Sequence, residues 1–147
     1  MEESYVSLEI AKLLKEKGFN EFCRAYWGGF NTRPLSLCGC NRGKAFDYCW
    51  NTMLEKDYSN NEQTYIAAPT LQMTCRWLRE KHGIHIEALC PVVDIDTNTN
   101  GVKYNVVISN LNNYCLAYDT PIEDNEYDSY EEAIKAAIKY CLTNLIK

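Results

Sequence analysis

Eight cysteines in 147 residues are the first feature of the chain that could do chemistry: Cys23, Cys38, Cys40, Cys49, Cys75, Cys90, Cys115 and Cys141. Four thiolates hold zinc tetrahedrally when their ligand pairs are spaced roughly two to four residues apart. Cys38-Gly39-Cys40 leaves one residue between its thiols, with Cys23 before it, Cys49 after it and no second close pair. That spacing favours free thiols over a metal centre. Cys75 and Cys141 fall on apolar helical stripes, where cysteine behaves as a small buried hydrophobe. The histidines do not complete a ligand set: His82 falls at a predicted helix end, where a cationic ring suits the dipole, and His85 falls on a strand. Asp94 and Asp96 lie two apart on one predicted strand and share a face that could hold a cation. The plainer reading of that pair is an exposed strand face running into a turn. No metal and no cofactor is expected.

Covalent and phosphoryl chemistry lack their usual signatures. The chain has no glycine-rich phosphate loop ending in Lys-Ser/Thr and no Gly-x-Ser-x-Gly elbow. A Cys–His pair could form in space, but with eight cysteines any single pairing is uninformative. The reading therefore leans away from catalysis and towards binding. Eleven tyrosines and three tryptophans supply rigid contact area of the kind enriched at interaction hot spots. Trp27-Gly28-Gly29-Phe30-Asn31-Thr32-Arg33, with Arg42-Gly43-Lys44 and Trp50 downstream, sets aromatic and basic residues on a glycine-rich stretch. The candidate ligand- or partner-binding residues are thus Trp27, Phe30, Arg33, Arg42, Lys44 and Trp50. Such a patch suits a nucleotide, a phosphate or an acidic protein surface. Its plainer reading is a decorated surface loop with neutralising charges.

The elements that must position these residues follow from periodicity and punctuation. Ser7 and Gly18 bracket a helix over 8–17, with Ile10, Leu13, Leu14 and Lys17 on one stripe. Phe22–Trp27 reads as a strand closed by Gly28-Gly29. Residues 28–64 read as a long irregular insertion, with one short helix suggested by Phe46, Cys49, Trp50, Met53 and Leu54. Pro69-Thr70 and Gly83 bracket a helix over 71–82, with Leu71, Cys75 and Leu78 buried, Trp77 beside them, and Arg76, Arg79, Glu80 and Lys81 outward. Strands are expected over 84–95, 102–110 and 114–119, with a hairpin at Thr97-Asn98-Thr99-Asn100-Gly101. Ser129 and Glu132 form a capping box for a last helix near 130–146. The predicted fold is α+β: one globular domain over 1–147, with a meander of about four antiparallel strands and three helices on one face.

Composition bounds the setting. A chain that is 46% hydrophobic and 12% aromatic should bury a core, and its net charge of −5 disfavours nonspecific phosphate binding, hence nucleic acid as a partner. No apolar run approaches the length of a membrane span, so no membrane partner is expected. Met1-Glu2-Glu3-Ser4 lacks the basic-then-apolar order of a secretory signal, so a reducing cytoplasm is the expected compartment.

Three segments also carry a resemblance. They are Tyr5-Val6-Ser7-Leu8-Glu9-Ile10-Ala11-Lys12-Leu13-Leu14-Lys15-Glu16-Lys17-Gly18-Phe19, Ala68-Pro69-Thr70-Leu71-Gln72-Met73 running into Trp77-Leu78-Arg79-Glu80, and Tyr127-Asp128-Ser129-Tyr130-Glu131-Glu132-Ala133 with Ala136-Ala137-Ile138-Lys139-Tyr140-Cys141-Leu142. In this order they resemble small uncharacterised proteins encoded by phages, prophages and mobile elements of gut bacteria. The resemblance implies a bacterial host cytoplasm and an accessory role against host or rival machinery, and it carries no catalytic residues. The expected function is non-catalytic binding to a host protein, as inhibitor or adaptor. The alternatives are a sponge that sequesters a nucleotide-like signal in anti-defence, and an enzyme without a recognisable motif.

Overall fold

The structure is a computed structural model, and it describes residues 4–30, 34–39, 47–52, 63–89, 103–111, 115–118 and 127–147. The chain divides into two compact units, Met1–Thr70 with Lys147 and Leu71–Ile146. The α+β class is as expected, with three helices and antiparallel sheets.

In the first unit, α1 spans Leu8–Glu16. The Ser7 hydroxyl accepts from the Ile10 N–H at 3.3 Å, satisfying one of the donors that a helix start leaves open. Gly18 ends the helix with φ at 86°. Its N–H donates to Lys15 O at 3.2 Å and the Phe19 N–H donates to Leu14 O at 2.9 Å, the paired closure that a left-handed residue permits. Phe19 is buried at that corner, beside Ile10, Ala11 and Leu14 in the core. The sheet of this unit has the order β2-β1-β3, with β1 Tyr26–Phe30, β2 Ser36–Cys38 and β3 Gln63–Ala67. Trp27 pairs with Leu37 on one side and Ile66 on the other.

Of the strands that flank β1, β2 lies inside the stretch read as an irregular insertion and β3 begins at its end. Neither is bounded as a strand in the sequence: β2 is three residues long, and β3, though it holds Thr64, Tyr65 and Ile66, follows a polar break instead of a turn signature. The strand expected over Phe22–Trp27 begins later, at Tyr26. Cys23 instead makes an isolated antiparallel bridge with Tyr48. The short helix expected around Phe46–Leu54 is a single 3₁₀ turn, Trp50–Thr52, within the described residues; Phe46, Met53 and Leu54 lie outside them.

The free side of β3 is closed from within the unit. The Ala68 N–H donates to Ala25 O, which fixes the pairing phase and turns the backbone groups of Tyr65, Ala67 and Pro69 outward. One group of each has a partner. The Lys15 ammonium donates to Tyr65 O, the Ala67 N–H donates to Asn51 Oδ1 at 2.9 Å, and the Val6 N–H donates to Pro69 O at 3.1 Å. An edge with these groups occupied is a poorer template for a further strand.

In the second unit, α2 (Leu71–His82) leads through Gly83, with φ at 64°, into β4 (Ile84–Leu89). The sheet order is β4-β5-β6, with β5 Asn105–Asn110 and β6 Cys115–Tyr118. Ile84, Ile86, Val106 and Ile108 share the buried face, against which α2 and α3 (Tyr130–Tyr140) pack. The buried stripe of α2 is Leu71, Thr74, Trp77 and Leu78, so Thr74 takes the central place expected for Cys75, which is half-buried. Ser129 caps α3 as expected, accepting from the Glu132 N–H at 3.1 Å. After Tyr140 the coil widens into one π turn, Cys141–Leu145, closed by the Ile146 N–H on Cys141 O. The widening keeps Cys141, Leu142 and Ile146 buried. The hairpin at 97–101 and the pair Asp94 and Asp96 lie outside the described residues, as does the end of the strand expected to reach 95.

Candidate functional site

Alternation along β1 divides its side chains between two faces. Trp27 lies on the same face as Ile66 and is half-buried there, its indole N–H donating to Val6 O at 3.1 Å. Tyr26 and Gly28 lie on the other face, opposite Ala67 and Tyr65. Segment 47–52 completes that second face by folding back on residues 19–23. Cys23 and Tyr48 exchange both backbone bonds, at 3.1 and 3.0 Å. The Trp50 indole N–H donates to Cys23 O at 2.8 Å, and the Asn51 amide donates to Phe19 O at 2.8 Å. The Cys49 thiol donates to Asn20 O at 3.2 Å.

The result is a contiguous aromatic platform. The Tyr26 and Trp50 rings lie 4.1 Å apart between centroids, Tyr48 and Trp50 5.4 Å, Tyr26 and Tyr65 5.5 Å, and Trp50 and Tyr65 6.0 Å with planes 21° apart. Tyr48 forms the open end, at 46% exposure. Gly28 makes the platform possible. A Cβ there would stand 2.5 Å from Tyr26 Cε2 and 2.8 Å from Cδ2. Tyr26 cannot swing away freely, because Trp50 and Tyr65 hold its ring. Gly28→Ala should therefore cost about 1 kcal/mol by overpacking. It should alter the near-ultraviolet circular dichroism of these rings while sparing the far-ultraviolet helical signal. Unchanged aromatic bands would show that Tyr26 does not depend on Gly28.

Of the six residues proposed from the sequence, Trp27 and Trp50 are placed on opposite faces of the first sheet. The backbone of Phe30 ends β1. Arg33, Arg42 and Lys44 lie outside the described residues. Tyr26, Tyr48 and Tyr65 were missed. The alternation Tyr26-Trp27-Gly28 could have separated the two faces, but nothing local brings Tyr65 or Tyr48 to Tyr26, since those contacts depend on β3 and on the fold-back of 47–52.

The Cys23 thiol beside the platform is a poor nucleophile. Burial pushes Cys23 up to about 12, helped by the charges of Asp47 and Cys49 and opposed by the Ala68 backbone bond. At neutral pH it is a thiol donating to Ala25 O at 3.4 Å. In the second unit, burial raises Cys75 to about 11 and Cys141 to about 12, and the neighbouring Cys75 raises Cys141 further. Cys23, Cys38, Cys49, Cys75 and Cys141 are free; Cys40 and Cys90 lie outside the described residues. Among the described residues no group of three or more His, Cys, Asp or Glu could hold a metal ion. His82, edge-on to Trp77 at 4.7 Å, has its pKa lowered by burial, which favours the neutral ring over the cation suited to the helix end. No helix among the described residues is long and apolar enough to cross a membrane. Comparison of the chain with protein-family models, with curated proteins and with solved structures finds no match.

Proposed function

We propose that the protein acts by non-catalytic binding, that its partner is a protein of the host cell, and that the Tyr26–Tyr48–Trp50–Tyr65 platform makes the contact. The observation that carries this reading is the packing of four aromatic rings into one surface, anchored by indole and amide bonds to 19–23 and open at Tyr48. Tyrosine and tryptophan held rigidly lose little entropy on binding and dominate protein–protein hot spots. Phe22, one residue before the Cys23–Tyr48 bridge and 64% exposed, adds apolar area to the same unit. The resemblance to phage and mobile-element proteins supplies the setting, an accessory protein that inhibits or adapts a host factor in the bacterial cytoplasm.

A nucleotide sponge fits the platform less well. A base inserted between two rings needs about 7 Å, twice a carbon contact distance. The Trp50–Tyr65 and Tyr26–Trp50 separations of 6.0 and 4.1 Å leave no such slot. Flat contact with a protein surface needs none.

The test is native mass spectrometry of the protein purified from its host, followed by affinity measurements with Tyr48→Ala. A co-purified protein is expected. Its affinity should fall about thirtyfold in the variant, the loss typical of a hot-spot tyrosine. The variant's own stability should change by no more than about 1 kcal/mol, since only one exposed ring is lost. A co-purified nucleotide instead of a protein, or undiminished binding by Tyr48→Ala, would overturn the proposal.

A further inference from the structure

We propose that the outer edge of β4 is a self-association surface, on which β4 of a second copy of this chain pairs antiparallel to make one continuous six-stranded sheet. β4 is an edge strand in the order β4-β5-β6. The Leu111 N–H donates to Gly83 O at 2.7 Å, which sets the phase of the β4–β5 ladder. Bonded and non-bonded pairs alternate, so His85, Glu87 and Leu89 turn their backbone groups to β5, and Ile84, Ile86 and Ala88 turn theirs outward. Among the described residues no backbone hydrogen bond reaches that outward row. The treatment of β3 is the contrast, because there Val6, Lys15 and Asn51 each bond one outward group.

Within Ile84–Leu89 itself, few of the devices that protect an edge are present. Ile84-His85-Ile86-Glu87-Ala88-Leu89 contains no proline and no lysine, and its register with β5 runs unbroken over all six residues. A strand this long and regular can accept another along its whole length.

Charge and register select a second copy as the occupant. A two-fold axis at His85 or Glu87 would set like side chains of the two copies opposite each other and would pair only two of the three outward residues. An axis at Ile86 pairs the whole outward row: Ile86 faces the partner's Ile86, and Ile84 faces the partner's Ala88. On the face away from the helices, His85 then stands opposite the partner's Glu87, and the symmetry repeats that pair. An imidazole N–H donates to a carboxylate, and unlike groups directly opposite each other on a sheet attract. Glu87 and Leu89 are exposed on that face, so neither needs to be uncovered first. Axes at Ile84 or Ala88 shorten the paired row and leave Glu87 facing Lys81 or Leu89, without the reciprocal His–Glu match.

Sedimentation equilibrium of the full chain tests this from low- to high-micromolar concentration, with hydrogen exchange read at Ile84, Ile86 and Ala88. Wild type should dimerise, and those three amides should gain protection as concentration rises. Glu87→Lys should weaken the dimer about tenfold or more, since it replaces attraction by repulsion at two symmetric positions. Combining it with His85→Glu should restore the dimer by reversing both signs, a rescue that a merely destabilised monomer would not show. A monomer throughout the concentration range, a dimer indifferent to Glu87→Lys, or a failure of the double variant to recover would each overturn the proposal.

Discussion

Raising the pH above 9 should erode the stability of both units through their buried thiols. Cys23 and Cys141 are pushed from 9.0 up to about 12, and Cys75 to about 11, in each case chiefly by burial. The sign follows from proton counting. Between the ordinary thiol value and the folded value, the unfolded chain has released the proton and the folded chain still holds it. Stability is therefore complete below about pH 9 and falls as pH rises towards the folded values. Each such thiol contributes a slope of about −1.4 kcal/mol per pH unit in that window. For Cys23 or Cys141 the full window amounts to about 4 kcal/mol, close to the lower end of a small domain's whole stability. The second unit should feel this doubly, since Cys75 and Cys141 both belong to it and Cys75 opposes ionisation of Cys141.

Tyrosines and lysines titrate in the same range, so the diagnostic is a difference in slopes. Urea unfolding from pH 8 to 10.5 should show Cys141→Ala starting less stable than wild type, from the cavity it leaves. With rising pH it should then lose stability more gently, by about 1.4 kcal/mol per unit. Parallel lines for the two proteins would mean that Cys141 ionises as readily folded as unfolded. The same burial explains why abundant cysteine need not signal redox or metal chemistry. A thiol is a good packing residue where its thiolate cannot form.

What could be read from the sequence divides along physical lines. The helices were legible because their signals are local: Ser7 and Ser129 cap within one turn, Gly18 and Gly83 stop the coil, and apolar spacing marks the buried face. β4 and β5 were legible in outline because they alternate or carry β-branched residues, and β6 because the turn residues Asn110 to Asn113 precede it. β2 and β3 were not, since a three-residue strand and a strand beginning Gln-Thr-Tyr are defined by their partners in β1. The candidate site failed to emerge for the same reason. Trp27 and Trp50 look alike in sequence, yet one indole is tied to Val6 on one face of the sheet and the other to Cys23 on the opposite face. Aromatic content indicated a binding surface. Only pairing could say which rings would share it.

Asn51→Ala should be among the most damaging single changes in the first unit, although Asn51 is only half-buried and sits in a 3₁₀ turn with no sequence signal of importance. Its amide joins two segments far apart in the chain. Nδ2 donates to Phe19 O at 2.8 Å, where α1 has just closed, and Oδ1 accepts from the Ala67 N–H at 2.9 Å, on the outer edge of β3. Alanine would leave a carbonyl and an N–H without partners, at about 1–3 kcal/mol for each group left partly buried. The expected loss is about 2–4 kcal/mol, read from chemical unfolding of the variant. The loss should be visible at the platform as well, because Trp50 precedes Asn51 and depends on the same fold-back to reach Tyr26 and Tyr65. Asn51→Asp separates the two bonds. It keeps an acceptor for Ala67 but presents a carboxylate to the Phe19 carbonyl, so at neutral pH it should also destabilise. Below the carboxyl pKa, where the protonated group can donate again, it should recover towards wild type. Stability of Asn51→Ala within about 0.5 kcal/mol of wild type would mean that water replaces both bonds at no cost. The fold-back of 47–52 would then rest on the bonds of Tyr48, Cys49 and Trp50.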